Sequence, residues 1–111
     1  VGLGHQFLRH VQRTKILLHL VSLGPDEDYN LVERYENIRN ELKKFDEKLY
    51  QKIEIVVLTK SDLVDQEETE IAVDLLREKI GEKPLFVLSS IRLEGVEEVK
   101  NYLWRFISGE I

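Results

Sequence analysis

Two groups of polar residues follow apolar segments in the second half of the chain and are candidates for ligand binding. Thr59-Lys-Ser-Asp62 follows residues 53–58, and Ser89-Ser90 follows residues 85–88. The Asp62 carboxylate can accept two parallel N–H bonds, and the aliphatic stem of Lys60 can cover a ring. Backbone N–H groups after Ser89 can donate to a carbonyl oxygen. Together these groups match the donor and acceptor edge of guanine.

The same residues also have an ordinary structural interpretation, which the residue types alone leave open. Asp62 can cap a helix or solvate a turn, and Ser89 and Ser90 are common turn residues. The helices and strands around these residues decide whether the two groups meet.

Those helices and strands are indicated by changes in the period of the apolar residues. Continuous apolar runs at residues 15–23, 53–58 and 85–88 predict three strands, the first of them buried on both faces. Apolar residues at steps of three and four predict four helices, of which the third begins at Asp65 and ends at Gly81. The predicted apolar positions of the helices are Leu3, Phe7, Leu8 and Val11; Leu31, Tyr35, Ile38, Leu42, Phe45 and Leu49; Ile71, Leu75, Leu76 and Ile80; and Val96, Val99, Leu103, Phe106 and Ile107.

This alternation of helices and strands predicts an α/β fold: an open parallel sheet with crossover helices on both faces. The 111 residues are expected to form a single domain. Ligands of such sheets bind beyond the carboxyl ends of the strands, where residues 24–28, 59–62 and 89–93 would converge. The apolar first strand is expected at an open edge, and such edges recruit partners or aggregate.

Composition argues against several classes of function. The absence of cysteine removes disulfides, thiol nucleophiles and Cys-ligated metal sites. Sixteen Lys and Arg against 21 Asp and Glu give a net charge of −5, which opposes general nucleic-acid binding. No apolar run approaches ~18 residues, so neither a membrane span nor a targeting segment is predicted. A soluble, cytoplasmic protein is expected.

Histidines and clusters of charge elsewhere have simple interpretations. The spacing of His5, His10 and His19 does not place them on one helix face, which favours packing or surface roles over a metal site. The acidic residues 65–70 suit a helix N-terminus. A small basic patch within residues 9–13 is expected to be a solvated helix face, with RNA phosphate as the alternative contact.

Longer stretches of the sequence carry a resemblance to a known family. The opening Val1-Gly-Leu-Gly-His-Gln-Phe-Leu-Arg-His10 is followed by Arg13-Thr14 and Leu17-Leu-His-Leu-Val21, and further on by Tyr29 and Tyr35-Glu-x-Ile-Arg-Asn-Glu-Leu42. These stretches resemble the Obg family of GTPases, beginning just after its Asp-x-Pro-Gly switch motif. The resemblance covers the carboxyl-terminal half of the family's GTPase domain, so residues 1–111 are expected to be one partial GTPase domain.

The resemblance also implies roles for individual residues. Thr59-Lys-Ser-Asp62 corresponds to the family's Asn-Lys-x-Asp guanine motif, and Ser89-Ser-Ile91 corresponds to its Ser-Ala-x motif. Asp62 would hold the N1 and N2 groups of guanine, and Lys60 would pack over the base. Backbone amides of Ser90 and Ile91 would meet O6, and Ser89 would brace their loop.

The chain departs from the family pattern at two positions and lacks its phosphate-binding motif. Thr59 stands where Asn is usual, and a hydroxyl cannot supply an amide's simultaneous donor and acceptor contacts. Ser22 stands where the family often has Asp. No Gly-x-x-x-x-Gly-Lys-Ser/Thr occurs, so no such loop cradles phosphates or supplies a hydroxyl to Mg²⁺. We therefore expect no catalytic residue, no metal site and only weak guanine-nucleotide binding in these 111 residues.

Two functions follow as hypotheses. The resemblance implies a parent protein that binds GTP or GDP with Mg²⁺, hydrolyses GTP and acts on the large ribosomal subunit, with no membrane partner. This chain would be its guanine-nucleotide-binding segment and inert alone. The alternative is a non-catalytic α/β interaction module that forms homo-oligomers through the edge of the first strand.

Overall fold

The computed structural model describes residues 4–24, 30–89 and 93–109. Within these ranges the helices and strands are, in chain order, α1 (His5–Val11), β1 (Ile16–Ser22), α2 (Leu31–Phe45), α3 (Glu47–Tyr50), β2 (Ile53–Thr59), a 3₁₀ turn (Ser61–Leu63), α4 (Gln66–Ile80), β3 (Leu85–Val87) and α5 (Val96–Ile107). The order agrees with the predicted α/β fold, to which α3 and the 3₁₀ turn are additions.

The three strands form one parallel sheet in the spatial order β1, β2, β3. Ser22 at the end of β1 lies opposite Thr59 at the end of β2, and Leu58 lies opposite Val87 at the end of β3. All three carboxyl ends therefore meet at one edge of the sheet. The loops that follow β2 and β3 start side by side at this edge.

Helices α2 and α4 pack on one face of the sheet. Because paired residues of parallel strands point to the same side, Val21, Leu58 and Val87 share this face. The buried core between the sheet and the two helices contains Val21, Tyr35, Val56, Leu58, Ala72, Leu76 and Ile80. A second buried cluster joins α1, β1, α2 and α3 and consists of Leu8, Leu17, Leu42 and Leu49.

Helix α5 lies on the opposite face. Phe86, which alternates with Leu85 and Val87 along β3, contacts Tyr102 of α5 with 5.5 Å between the ring centroids. Ile55 and Val57 of the central strand are buried as well. Helices therefore cover both faces of the sheet, which confirms the predicted fold class. No helix in the described ranges is long and apolar enough to cross a membrane.

The prediction that β1 is buried on both faces is wrong. Its alternate residues His19 and Val21 are buried, whereas Leu18 and Leu20 are 42% and 59% exposed. β1 forms one edge of the described sheet. Leu18 and Leu20 belong to the face on which α5 contacts β3, and no described helix buries them. The predicted open edge is present in the described part of the chain.

The single helical stripe predicted between Leu31 and Leu49 is two helices. Asp46 has an extended backbone, and its side chain accepts a hydrogen bond from the Lys48 N–H at 3.0 Å. A short acidic side chain competes in this way with the helical backbone, which ends α2 and caps α3.

Several predicted apolar positions are not in the core. Ile71 and Leu75 of α4 are about half exposed, whereas the predicted Leu76 and Ile80 are buried together with Thr69 and Ala72. Phe7 and Ile107 are also exposed. Leu3 lies outside the described residues.

Candidate functional site

The loop after β2 begins with an unusual backbone turn. The Thr59 C=O accepts a 3.0 Å hydrogen bond from the Leu23 N–H, which ties this loop to the end of β1. Lys60 has φ 61° and ψ 36°, a left-handed conformation that is uncommon for a residue with a Cβ atom. The turn starts the 3₁₀ segment at Ser61 and leaves the Lys60 side chain exposed.

Asp62 and Ser89 join the loops that follow β2 and β3. The Ser89 hydroxyl donates to Asp62 Oδ1 at 2.8 Å, and the Ser61 N–H donates to the Leu88 C=O at 3.3 Å. Ser89 is fully buried, whereas Asp62 is half-buried. Among the described residues, Asp62 Oδ2 has no protein partner. One carboxylate oxygen is therefore fixed by the protein, and the other can accept N–H bonds from a ligand.

A second set of contacts anchors Ser89 from its carboxyl-terminal side. The Ser89 N–H donates to the Glu94 C=O at 3.0 Å. Gly95 has φ 81°, and a Cβ atom built on it would lie 2.0 Å from the Val87 oxygen. Only glycine fits this close backbone approach. Glu94 and Gly95 were not singled out from the sequence, where the one available signal was a glycine shortly after the serine pair.

The structure brings together four of the six predicted site residues. Thr59 ends β2, Lys60 and Asp62 lie in the loop that follows, and the Ser89 hydroxyl reaches that loop at Asp62. Ser90 and Ile91 lie outside the described residues, and so do the backbone amides expected to contact O6.

Ser22 closes the turn at the end of β1. Its hydroxyl accepts a 3.1 Å hydrogen bond from the Gly24 N–H. An aspartate side chain at this position makes the same kind of turn through its carboxylate. The local backbone therefore accommodates serine at position 22, where the family often has aspartate.

A second polar cluster lies near the start of β2, away from the site. Glu54 is 3% exposed and accepts hydrogen bonds from Tyr35 (2.6 Å), His19 (3.0 Å), Lys83 (3.0 Å) and Arg39 (3.1 Å). Tyr35 and Arg39 belong to the family-like stretch of α2. Their observed role is to hold a carboxylate inside the core.

These contacts shift the pKa values of Glu54 and Tyr35. Burial by itself would raise the pKa of Glu54, but hydrogen bonds from His19, Tyr35 and Lys83 and the charge of Arg39 outweigh it and lower the pKa to about 2. Burial, followed by the nearby carboxylate, raises the pKa of Tyr35 well above its usual range. Glu54 therefore stays ionised in the folded protein at neutral pH.

The described histidines have packing contacts. His19 stacks on Tyr35 with 4.8 Å between ring centroids, and His5 lies 5.6 Å from the ring of Phe45. In the described ranges, no three His, Cys, Asp or Glu side chains come together as metal ligands. The side chain of His10 lies outside the part of the chain that the structure describes.

The open parallel sheet with helices on both faces has the architecture of part of a GTPase-type α/β domain. No protein-family model matches the chain. It is 37% identical to a protein named GTPase Obg from Magnetococcus marinus over 99% of this chain and 30% of that protein. Proteins of the same name from Lactobacillus helveticus and Lactobacillus johnsonii are 41% and 43% identical over 91% and 89% of the chain.

The chain is therefore a homologue of a segment of the GTPase Obg proteins, and the resemblance in its sequence is confirmed. It spans 22–30% of the length of these curated relatives.

Proposed function

We propose that the chain is the guanine-recognition part of an Obg-like GTPase, a partial GTPase domain over residues 1–111. The hydrogen bond between Ser89 and Asp62 carries this proposal, because it joins the two loops expected to read the base. It supports the family roles of both residues and leaves Asp62 Oδ2 to accept N–H bonds.

The base-reading roles extend to the neighbouring residues. Asp62 accepts from guanine N1 and N2, and the exposed Lys60 packs its stem over the ring. Ser89 fixes the loop whose Ser90 and Ile91 amides donate to O6. Thr59 supports the turn through its backbone.

Binding by the chain alone is weak. A charge-assisted hydrogen bond contributes about 1.5–3 kcal/mol, whereas millimolar affinity requires about −4.1 kcal/mol after the entropy of association is offset. In the longer protein, phosphate and Mg²⁺ contacts come from other residues. We propose that this longer protein hydrolyses GTP in the cytoplasm and acts on the large ribosomal subunit.

The exposed face of β1 supports the partial-domain proposal. Leu18 and Leu20 are two positions apart on β1, so both lie on the same exposed face of this edge strand. A further layer of protein would bury them. The same observation supports a second candidate function, a homo-oligomer that forms through this edge. Nucleotide binding separates the two, because the interaction module needs none.

The test is an amide-resolved NMR titration of the 111-residue chain with GDP, and with ADP as the control nucleotide. We expect GDP-selective shifts at Lys60, Asp62, Ser90 and Ile91, with millimolar affinity. The matched variant Asp62→Asn keeps the Ser89 contact possible but removes the charge, so its GDP shifts should disappear. Equal responses to GDP and ADP would contradict guanine recognition. Micromolar affinity for GDP would contradict the proposal that the chain binds only weakly, through contacts to the base.

A further inference from the structure

The outer edge of β3 lies along a groove, away from the contact between Asp62 and Ser89. β3 is the outer strand of the described sheet, on the side opposite to β1. On its inner side the Val56 N–H donates to the Pro84 C=O at 2.9 Å, and the Leu88 N–H donates to the Leu58 C=O at 2.7 Å. Parallel pairing alternates along a strand, so the backbone groups of Leu85 and Val87 point away from β2.

Within the described ranges, three of these outward groups have no backbone partner and can pair with another strand. They are the N–H and C=O of Leu85 and the N–H of Val87. The Val87 C=O is covered by the close approach of Gly95. In parallel strand addition, one incoming residue donates to the Leu85 C=O and accepts from the Val87 N–H. The edge thus presents a complete pairing position.

The surface beside this edge is a groove of about 660 Å³ between α4 and α5. Its apolar lining consists of Val64, Val73, Leu85, Phe86 and Val87. An extended peptide fits such a groove because its backbone pairs with the edge while alternate side chains contact the two walls.

The walls of the groove are strongly acidic. The carboxylates that line it belong to Asp65, Glu70, Asp74, Glu94 and Glu98, and no lysine or arginine lines it within the described ranges. Asp65 also caps α4 by accepting from the Glu68 N–H. Asp74 and Glu98 are exposed. An acidic wall favours a cationic partner and repels nucleic acid or a second copy of the same groove.

We propose that the β3 edge and its acidic groove bind a lysine- or arginine-rich extended segment of a partner protein by strand addition. The backbone of the partner pairs with Leu85 and Val87. Its basic side chains lie against the carboxylates of α4 and α5. This interaction surface is separate from guanine recognition, so either proposal can fail without the other.

The probe is a heptapeptide of alternating lysine and valine, titrated into the 111-residue chain at low ionic strength and followed by amide NMR. We expect shifts at the Leu85 and Val87 amides. A glutamate–valine peptide should not bind. The lysine peptide N-methylated at every residue keeps its charge but cannot donate backbone hydrogen bonds, so it should bind about tenfold more weakly or not at all.

A variant with neutralised carboxylates tests whether the acidic walls of the groove contribute to binding of the lysine peptide. Glu70→Gln, Asp74→Asn and Glu98→Gln together should weaken the lysine peptide by about tenfold. The control combines Glu67→Gln, Glu78→Gln and Glu97→Gln, which removes three exposed acids from the same two helices outside the groove and should bind as the parent does. Equal weakening by both variants, equal binding of the N-methylated peptide, or no shift at the β3 edge would overturn the proposal.

Discussion

The Ser89 hydroxyl donates a 2.8 Å hydrogen bond to the Asp62 carboxylate across 27 positions of sequence. The bond exists because β2 and β3 are parallel neighbours whose carboxyl ends meet at one edge of the sheet. It positions the acidic group that the proposed guanine site requires.

Ser89→Ala removes this bond and leaves Asp62 without its anchor. Hydrogen bonds to charged groups contribute about 1.5–3 kcal/mol, and partial exposure of Asp62 reduces this value, so the free energy of unfolding should fall by about 1–2 kcal/mol. Urea denaturation measures the change. Ser108→Ala, at an exposed position, is the control and should lie within about 0.5 kcal/mol of the parent. If both variants unfold alike, the bond contributes nothing.

Gly95→Ala should lower the free energy of unfolding more than Gly81→Ala does. Both glycines have positive φ, 81° and 67°. Of the two, only Gly95 would place the new Cβ atom against backbone, whereas no atom of the described residues lies within 4 Å of a Cβ at Gly81. The difference in unfolding free energy should be about 1–3 kcal/mol, the usual cost of overpacking. Thermal and urea unfolding of the two variants provide the comparison, and equal losses would contradict the close approach.

Thr59→Asn should strengthen guanine-nucleotide binding. The amide restores a simultaneous donor and acceptor, and one further hydrogen bond of about 0.5–1.5 kcal/mol corresponds to an increase of about twofold to twelvefold in GDP affinity. Thr59→Val keeps the shape without any polar group and should bind no more tightly than the parent. NMR titration with GDP measures both. A gain in Thr59→Asn that extends equally to ADP would argue against base recognition.

Glu54 should make the stability of the chain depend on acid pH. Its folded pKa of about 2 lies below its ordinary value of 4.5, so its contribution is fully present above the ordinary value and is lost as pH falls towards 2. The size of that contribution is roughly 3 kcal/mol. Glu54→Gln should lower the unfolding free energy by about 3–5 kcal/mol at pH 7, because Arg39 and Lys83 lose their buried counter-charge.

The pH series supplies the decisive comparison for Glu54. The difference between parent and Glu54→Gln should shrink as urea denaturation is repeated at lower pH. Glu36→Gln, which removes an exposed ion pair with Lys79, should change stability by less than about 1 kcal/mol at any pH. A constant gap between parent and Glu54→Gln would show that Glu54 does not titrate as proposed.

The second candidate function requires self-association through β1, and on that proposal Leu20→Lys should reduce the association without unfolding the chain. Leu20 is 59% exposed, so a charged side chain there costs about 0.5 kcal/mol or less, whereas the neighbouring Val21 is 3% exposed. Sedimentation velocity over a range of concentrations measures the association. Val21→Lys, on the buried face of the same strand, should unfold the chain. Unchanged association in Leu20→Lys would exclude this face as the contact.

Local signals predicted most of the fold. Asp65 caps α4 by accepting from the Glu68 N–H at 2.8 Å, and Gly81 follows the last residue of that helix. Such caps depend on residues a few positions apart, so they are visible in the sequence. Asp46 was the exception: its position in an apolar stripe concealed a break between two helices.

The candidate site was predictable in part for a different reason. The positions of Asp62 and Ser89 followed from the ends of two apolar runs and from the family resemblance. The Glu54 cluster was not predictable, because Arg39 resembled an ordinary charge on the outer face of a helix. Its burial results from the placement of α2 over a strand that carries a carboxylate inward.

The sequence by itself determined the order of the helices and strands, the α/β class and the residues proposed for guanine recognition. Tertiary structure decided which face of β1 is covered, that Asp62 and Ser89 touch, that Gly95 must approach Val87, and that Glu54 is ionised in the core. The physical reason is that apolar periodicity and caps act over a few residues. Burial, register and electrostatic balance depend on partners that are distant in sequence and adjacent only after the sheet has formed.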